Sequence, residues 1–423
     1  MREAASTEWM GALPPEWTTA RISSLYTPRN EKVSEDDYPA LSVTMQGIVP
    51  QLETAAKSQD TENRKLVRTG DFVINSRSDR RGSCGIARQD GSVSLISNVL
   101  NPIDANSMDP EFFEFLFKTE GFADEYYKWG TGIVDDLWST NWSRMKNIMV
   151  AYPSYDDQKM IAKYLDQKTA EIDLLIEQTE RSIELLEEYR KSVISEAVTK
   201  GLDPDAPMKD SGIEWIGKIP ESWTTPKLKY ISRIESGATP DRENYSYWDG
   251  TIPWIKTGEL QNGKTTKALE SITERALDET SVKLFPQGTV LVAMYGQGKT
   301  RGMTSLLEIE ACTNQACAGI QPDQKVIVPE FLQLFMIASY NAIRLTALGS
   351  GQPNLSLDLI GDWAVCIPPL YEQAGIVCKT QQVMSHFDQL LDCKRELLTA
   401  LQDYRKSLIF EAVTGKFKVP GVM

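Results

Sequence analysis

The chain has 423 residues, 41% of them hydrophobic, ten tryptophans and a net charge of −14. That suits two or three globular domains and excludes a disordered polypeptide. No apolar run reaches membrane-span length and the opening MREAASTEWM lacks the apolar core of a secretion signal, so a cytoplasmic protein is expected.

The single histidine, His386, excludes His-rich metal chemistry and falls in a helical heptad pattern, where it reads as a helix-packing residue. Six cysteines form no C-x-x-C pair and read as reduced core residues. No bound metal or cofactor is expected on this chain. The acidity is unevenly spread: the net charge is −6 over 1–150, −6 over 151–212, −3 over 213–366 and +1 over 367–423. The window 64–88 stands out, with seven basic residues against Asp71 and Asp79, and reads as a local basic surface. A second window, 288–307, holds Lys299 and Arg301 and no acid.

In chain order, Glu8-Trp9-Met10-Gly11-Ala12-Leu13-Pro14 opens the sequence and continues to Trp17-Thr18-Thr19. Apolar runs predict strands over 71–75 and 93–97, and an amphipathic segment predicts a helix over 110–128. Pro153 stops the preceding strand, and Asp156-Asp157 suits a helix N-terminus. A long helix then follows over 157–199, free of Pro and Gly. Its seam is Ile161, Leu165, Lys168, Ile172, Leu175, Thr179, Ser182, Leu186, Tyr189 and Val193, alternating by four and three. The Gly/Pro-rich stretch within 201–212 reads as a linker.

The series then starts again. Glu214-Trp215-Ile216-Gly217-Lys218-Ile219-Pro220, with Trp223-Thr224-Thr225, repeats the opening at an offset of 206. Strands are predicted over 289–294, 304–309 and 363–367, and a helix over 329–347. Pro368-Pro369 precedes a second long helix over 372–414. Its seam is Ile376, Thr380, Val383, Phe387, Leu390, Lys394, Leu397, Leu401, Tyr404 and Leu408, and Leu391 and Leu398, with Ile176 and Ile183 on the first helix, widen the stripe. LEEYRKSVISEAVT (186–199) returns as LQDYRKSLIFEAVT (401–414), 10 of 14 identical, at an offset of 215. Between these anchors only pattern is shared: Val73-Ile74 answers Val290-Leu291, Ser97-Asn98 answers Thr313-Asn314, and Pro110-Glu111-Phe112 answers Pro329-Glu330-Phe331. Duplicated ends around unlike centres mean one job done twice and two related jobs on different targets. About 40 helical residues make a rod of roughly 60 Å, and the apolar stripes call for the two rods to pair.

The twofold E-W-x-G-x-x-P-x-x-W opening, the x-P-x-x-x-x-Q stretch before each long helix and the Y-R-K-S-x-I-x-E-A-V-T close resemble the specificity subunit of Type I restriction–modification enzymes. In the second half Gly237-Ala238-Thr239-Pro240, Ile252-Pro253-Trp254-Ile255-Lys256-Thr257-Gly258, Cys312-Thr313-Asn314-Gln315-Ala316 and Gly351-Gln352-Pro353-Asn354-Leu355 look like further family landmarks. The first half has Pro39-Ala40-Leu41-Ser42-Val43 in place of a G-x-T-P segment.

The resemblance implies an α+β fold: target-recognition domains over 1–151 and 213–366, each followed by a helical spacer (152–200 and 367–416). The two helices would pair as an antiparallel coiled coil with pseudo-two-fold symmetry. It further implies double-stranded DNA as ligand and two methyltransferase subunits docked on the helical regions. Motor-nuclease subunits would join them, and S-adenosylmethionine, ATP and Mg would be bound by those partners. Two unlike heads on one spacer read an asymmetric, bipartite site.

Base reading needs side chains that reach groove edges from loops held by phosphate contacts. In the first half the loop after 71–75 offers Ser76, Arg77, Ser78, Arg80 and Arg81, with Thr44, Gln46, Lys128, Thr131, Ser139 and Asn141 as further candidates. In the second half Tyr295, Gln297, Lys299 and Arg301 form the equivalent loop, with Arg242, Asn244, Lys256, Thr257, Gln352 and Asn354 beside them. Ala293-x4-Gly298-Lys299-Thr300 mimics a phosphate-binding loop, but a strand rather than a helix is predicted next. No Asn/Asp-Pro-Pro-aromatic element, G-x-G-x-x-G or nuclease carboxylate pattern is present. Catalysis is therefore expected of partners. A helical scaffold without DNA reading, and a stand-alone NTPase or nuclease, are the competing readings.

Overall fold

In a computed structural model the described residues are 6–51, 61–77, 81–132, 138–296, 298–346 and 354–422. The chain divides into two compact units, Met1–Glu180 with Glu396–Met423, and Arg181–Arg395. Each unit therefore draws on both sequence halves.

The first unit is built on a four-stranded antiparallel sheet in the order Tyr26–Pro28, Ser97–Pro102, Phe72–Asn75, Cys84–Ile86. A three-stranded sheet (Lys32–Val33, Arg64–Val67, Gly91–Val93) and the hairpin Leu41–Thr44/Gly47–Pro50 stand beside it. Pro110–Phe117 and Glu120–Lys128 are helices whose Phe112, Phe113, Phe117 and Phe122 fill the core together with Phe72 of the sheet, all five fully buried.

The second unit repeats the order Ser232–Ser236, Cys317–Pro322, Val290–Ala293, Thr304–Leu307 and adds Gly263–Thr265 at the edge. The small sheet Glu270–Ile272, Trp248–Ile255, Cys312–Thr313 carries its own aromatic core. Pro329–Ala338 and Tyr340–Thr346 occupy the places of the two helices in the first unit.

The strand registers define the internal repeat more sharply than sequence does. Asn75 faces Ser97 across the first sheet and Ala293 faces Cys317 across the second. Val73 therefore corresponds to Leu291, and Ser97 to Cys317. The expected matches of Val73-Ile74 to Val290-Leu291 and of Ser97-Asn98 to Thr313-Asn314 are off by one and by several residues. Two extra residues lie in the second unit's loop between these strands, which anchors outside the sheet cannot detect.

Other expectations needed correction for local physical reasons. The run 93–97 is two strands, Gly91–Val93 and Ser97–Pro102, because a turn closed by Ser97 N–H on Ser94 O (3.0 Å) moves the chain from one sheet to another. The run 363–367 is not a strand but two isolated bridges to Thr224 and Lys227. Pro226 between them has no N–H for the ladder, whereas Ala20 at its counterpart lets Thr18–Arg21 pair continuously with Met149–Tyr152. The segments 110–128 and 329–347 each break into two helices. Thr119 caps the second by accepting from Phe122 N–H (3.2 Å), and Ser339 sits at the other break, accepting from Trp363 Nε1 (3.2 Å).

The long helices run Tyr155–Lys200 and Leu370–Val413. Ser154 opens the first by accepting from Asp157 N–H (3.3 Å) and donating to its carboxylate (2.8 Å), a compact N-terminal cap. Each ends on a left-handed glycine, Gly201 (φ +78°) and Gly415 (φ +72°). In the first unit Asp173 pairs bidentately with Arg405 (2.7 and 3.0 Å), and Tyr164 meets Phe417 just beyond the second helix (5.8 Å). In the second unit Glu187 pairs with Arg395 and Arg190 with Asp388 (both 3.2 Å), while Tyr189 stacks edge-on with Phe387. Within either unit rising numbers on one segment meet falling numbers on the other, so the segments lie antiparallel.

Within the expected stripes the burial shifts from the seam to the flanking positions. Leu175, Tyr189, Leu390, Leu397 and Tyr404 are exposed, and Ile176, Leu391 and Leu398 carry more of the burial. The buried row steps from Phe387 to Leu391, a four where the strict heptad has a three, and the stripe shifts by one residue. His386 is exposed on the second helix rather than packed.

The duplicated motifs are the joints. Gln158 and Gln373 are buried, and their amides make the same three bonds. Gln158 Oε1 accepts from Asp109 N–H (2.9 Å), and its Nε2 donates to Ser107 O (3.3 Å) and Pro153 O (3.0 Å). Gln373 Oε1 accepts from Val328 N–H (2.7 Å), and its Nε2 donates to Val326 O and Pro368 O (both 2.9 Å). The glutamine of x-P-x-x-x-x-Q thus ties the start of each long helix to the start of the Pro-Glu-Phe helix in the head. Pro14 and Trp17 lie against Gly415, where a Cβ would have no room, and Pro220 and Trp223 lie against Gly201, where a Cβ would sit tightly, 3.2 Å from Trp223.

Candidate nucleic-acid interface

Four of the seven basic residues in the window 64–88 are committed to contacts within the fold. Arg64 is buried on Ser92, Lys65 donates to Ser97 O (2.7 Å), Arg68 pairs with Asp90 (2.5 Å), and Arg88 is held by Glu111 and Glu114. Charge clustered in sequence is spent here on tying strands and helices together. Arg77 differs: it is exposed, and no carboxylate among the described residues lies within ion-pair distance.

Ser76, Arg77 and Thr131 are brought together at the end of the central strand of the first unit. Arg77 and Thr131 both bridge Ser139, and Thr140 N–H donates to Ser76 O (2.9 Å). Asn75, Arg81, Gly82, Tyr127 and Trp138 line the same cavity. Arg81 is engaged by Asp124 and lies 5.4 Å from the centroid of the Tyr127 ring. Lys128 faces Glu125 (3.5 Å), and Asn141 accepts from Ser143 (2.5 Å). Thr44 and Gln46 are not part of this cluster. Thr44 closes its own hairpin on Gly47 O (3.0 Å), and Gln46 O accepts from Lys118 (3.0 Å), at a separate groove lined by Met45, Lys118 and the Arg405–Phe410 stretch. Ser78 and Arg80 lie outside the described residues.

In the second unit Met294 N–H donates to Ala316 O (2.8 Å) and Leu355 N–H to Met294 O (3.0 Å). The loop from Tyr295, the 314–316 segment and Asn354 therefore start from one place. Tyr295, Lys299 and Asn354 are exposed, and Arg301 is half-buried. Gln297 and Gln352 lie outside the described residues. The loop runs into the strand Thr304–Leu307, not into a helix, so no helix N-terminus stands behind Gly298-Lys299-Thr300 to cradle a phosphate chain.

Arg242 and Lys256 belong to a different feature, where both are paired within the fold. Both clasp Glu270 (2.7 and 2.5 Å), and Arg242 lies flat on Trp248 (3.8 Å) and Trp254 (4.9 Å). Lys256 and Arg242 hold the Glu270 carboxyl below the usual carboxylate range. Asn244 accepts from Ser246 N–H (3.2 Å), and Thr257 opens the turn Thr257–Glu259. The G-x-T-P landmark has a structural reason as well. A Cβ on Gly237 would strike Thr313, Ala238 N–H donates to Thr313 O (2.9 Å), and Thr239 Oγ1 donates to Gln315 (2.5 Å).

Sequence reasoning missed Asp124, Tyr127, Trp138, Tyr340 and Arg344. Tyr340 donates to Lys299 O (2.6 Å), and Arg344 donates to Arg301 O (2.6 Å) and Gly298 O (2.8 Å). The only sequence signal of Asp124, Tyr127, Tyr340 and Arg344 is membership of the helix after the Pro-Glu-Phe helix, and Trp138 lies beyond it.

The buried cysteines among the described residues are not poised as nucleophiles. Burial pushes the thiols of Cys84, Cys312 and Cys366 up to about 12, and that of Cys317 higher still. Among the described residues no cluster of three His, Cys, Asp or Glu could hold a metal ion, and no helix is long and apolar enough to cross a membrane.

Residues 220–402 match the Type I restriction modification DNA specificity domain. The MjaVIII specificity subunit of Methanocaldococcus jannaschii is 24% identical over 430 residues, 96% of this chain and 94% of that one. The MjaIX specificity subunit of the same organism is 30% identical over 185 residues, 43% of this chain and 41% of its own length. The fold is shared with a chain solved in work on complex assembly and conformational transition of the type I R-M system (TM-score 0.75, 15% identity, 96% of this chain and 100% of that one). It is also shared with the HsdS subunit from Thermoanaerobacter tengcongensis (TM-score 0.56, 15% identity, 97% and 100%). With its duplicated helical joints and paired α+β heads, the chain is similar along nearly its whole length to Type I restriction–modification specificity subunits.

Proposed function

We propose that this chain is the non-catalytic reader of an asymmetric, bipartite DNA sequence, with target-recognition domains over 1–151 and 213–366, a linker over 201–212 and spacer helices over 152–200 and 367–416. The carrying observation is two heads of the same strand order whose loops after the central strand hold unlike side chains, Ser76-Arg77 in one and Tyr295 with Lys299 in the other. Arg77 has the donor fork to pair with guanine, and Lys299 suits phosphate. Ser76, Thr131, Arg301 and Asn354, with Ser78, Arg80, Gln297 and Gln352, complete the reading edges. The long helices pair along their length as an antiparallel coiled coil with pseudo-two-fold symmetry and fix the gap between half-sites. Two methyltransferase subunits dock on those helices and carry S-adenosylmethionine. Motor-nuclease subunits bring ATP and Mg chemistry. The assembly works in the cytoplasm on double-stranded DNA.

The test replaces 18–150 with the corresponding centre of another family member and maps methylated sites across a genome by single-molecule sequencing. One half of the motif should change while the other half persists. Alteration of both halves, or of neither, would refute the assignment of one head to one half-site.

A further inference from the structure

Both heads carry a brace between the reading loop and the second head helix, and the two braces have opposite polarity. Strand pairing makes Arg81-Gly82 in the first head correspond to Arg301-Gly302 in the second: Cys84 faces Ile74, Thr304 faces Val292, and both glycines are left-handed (φ +76° and +85°). The facing helices are Glu120–Lys128 and Tyr340–Thr346. At the fifth position of each stands the charge that meets the loop, Asp124 in one and Arg344 in the other.

In the first head the loop supplies the cation and the helix the carboxylate. Arg81 pairs with Asp124 and lies over Tyr127. In the second head the helix supplies the cation and the loop offers bare carbonyls. Arg344 spans Arg301 O and Gly298 O, and Tyr340 Oη accepts from Arg344 Nη1 (3.0 Å) while donating to Lys299 O. Gly302 makes room for this: a Cβ there would lie 3.3 Å from Arg344 Cγ and 3.4 Å from Tyr340 Cδ2. Three carbonyls of one short loop are thereby fixed by two side chains from outside it. Loops that contact base edges need that kind of external support, because a shift of an ångström removes a bidentate contact.

We infer that Asp124 with Arg81, and Arg344 with Tyr340, are positioning residues that set the sequence discrimination of the first and second half-sites respectively, Arg81 acting as a brace and not as a base reader. The inference rests on the DNA-reading assignment above.

The experiment uses the full chain co-expressed with the methyltransferase subunit of its own system, with methylated sites mapped genome-wide. The wild-type map comes first. Absence of any bipartite motif there overturns the DNA-reading assignment, and the inference with it. Given a motif, Asp124→Asn should lower discrimination at one or two bases of one half-site by about tenfold, the scale of a single lost base contact, and leave the other half-site unchanged. The reversal R81D/D124R should restore the wild-type motif. Tyr340→Phe, which removes only a hydroxyl, and Arg344→Met should relax the opposite half-site in the same way. Unchanged discrimination in D124N and Y340F, or equal loss in both half-sites from either, overturns the inference. So does failure of R81D/D124R to recover specificity while its thermal midpoint matches wild type.

Discussion

Replacing Gln158 with alanine removes the three-pronged tie between the first head and its long helix. The side chain is 1% exposed, so water cannot substitute for it without local opening. The substitution strands Asp109 N–H, Pro153 O and Ser107 O, the last bond already long at 3.3 Å. A buried partner left unsatisfied costs about 1–3 kcal/mol, and a net buried hydrogen bond contributes about 1 kcal/mol. With two short bonds, one weak one and a partly collapsed cavity, the expected loss is about 3 kcal/mol. For a unit of this size that lowers the midpoint by roughly 6–12 °C. Calorimetry of the full chain reads the shift, and hydrogen exchange at the Asp109 amide localises it. Gln158→Glu should not rescue, because a carboxylate keeps the acceptor but turns both donors into oxygens facing carbonyls. A midpoint within 2 °C of wild type for Gln158→Ala, with Asp109 still protected, would refute the reasoning.

Arg77→Ala should cost about 1–3 kcal/mol on the specific site and relax one base, measured by competition binding of the assembled complex at fixed salt; equal losses on specific and random DNA would instead make Arg77 a phosphate contact. At pH 8, a thiol reagent should label Cys378 and Cys393, which are exposed, and spare Cys84, Cys312, Cys317 and Cys366, whose buried thiols remain protonated there; mass spectrometry of the native chain counts the adducts. Arg405→Ala breaks a bidentate pair with Asp173, yet both partners are more than a third exposed, so the loss should stay below about 1 kcal/mol in thermal unfolding at physiological salt.

The long helices, their opening prolines and the duplication were legible in the sequence because periodicity and identity are local signals that survive without tertiary context. Gln158 and Gln373 could be singled out by position, but not given a purpose, since their partners lie 49 and 45 residues away at Asp109 and Val328. The heptad reading failed past Phe387 because a one-residue step is invisible when Leu390 and Leu391 are both apolar. Much of the basic window was misread for the opposite reason: the sequence shows the arginines and not the carboxylates that reach some of them, Asp90 for Arg68 and Glu111 with Glu114 for Arg88. The same blindness hid Arg344, which acts through backbone oxygens that any loop sequence would offer.

Gly415 closes on Pro14 and Trp17, and Gly201 on Pro220 and Trp223, so each head is finished by the helix tail of the opposite sequence half. A tail must therefore fit a head it is not encoded beside. The 10-of-14 identity of 186–199 and 401–414 follows from that demand, since both stretches lead into a tail that must close on an opening of the same form.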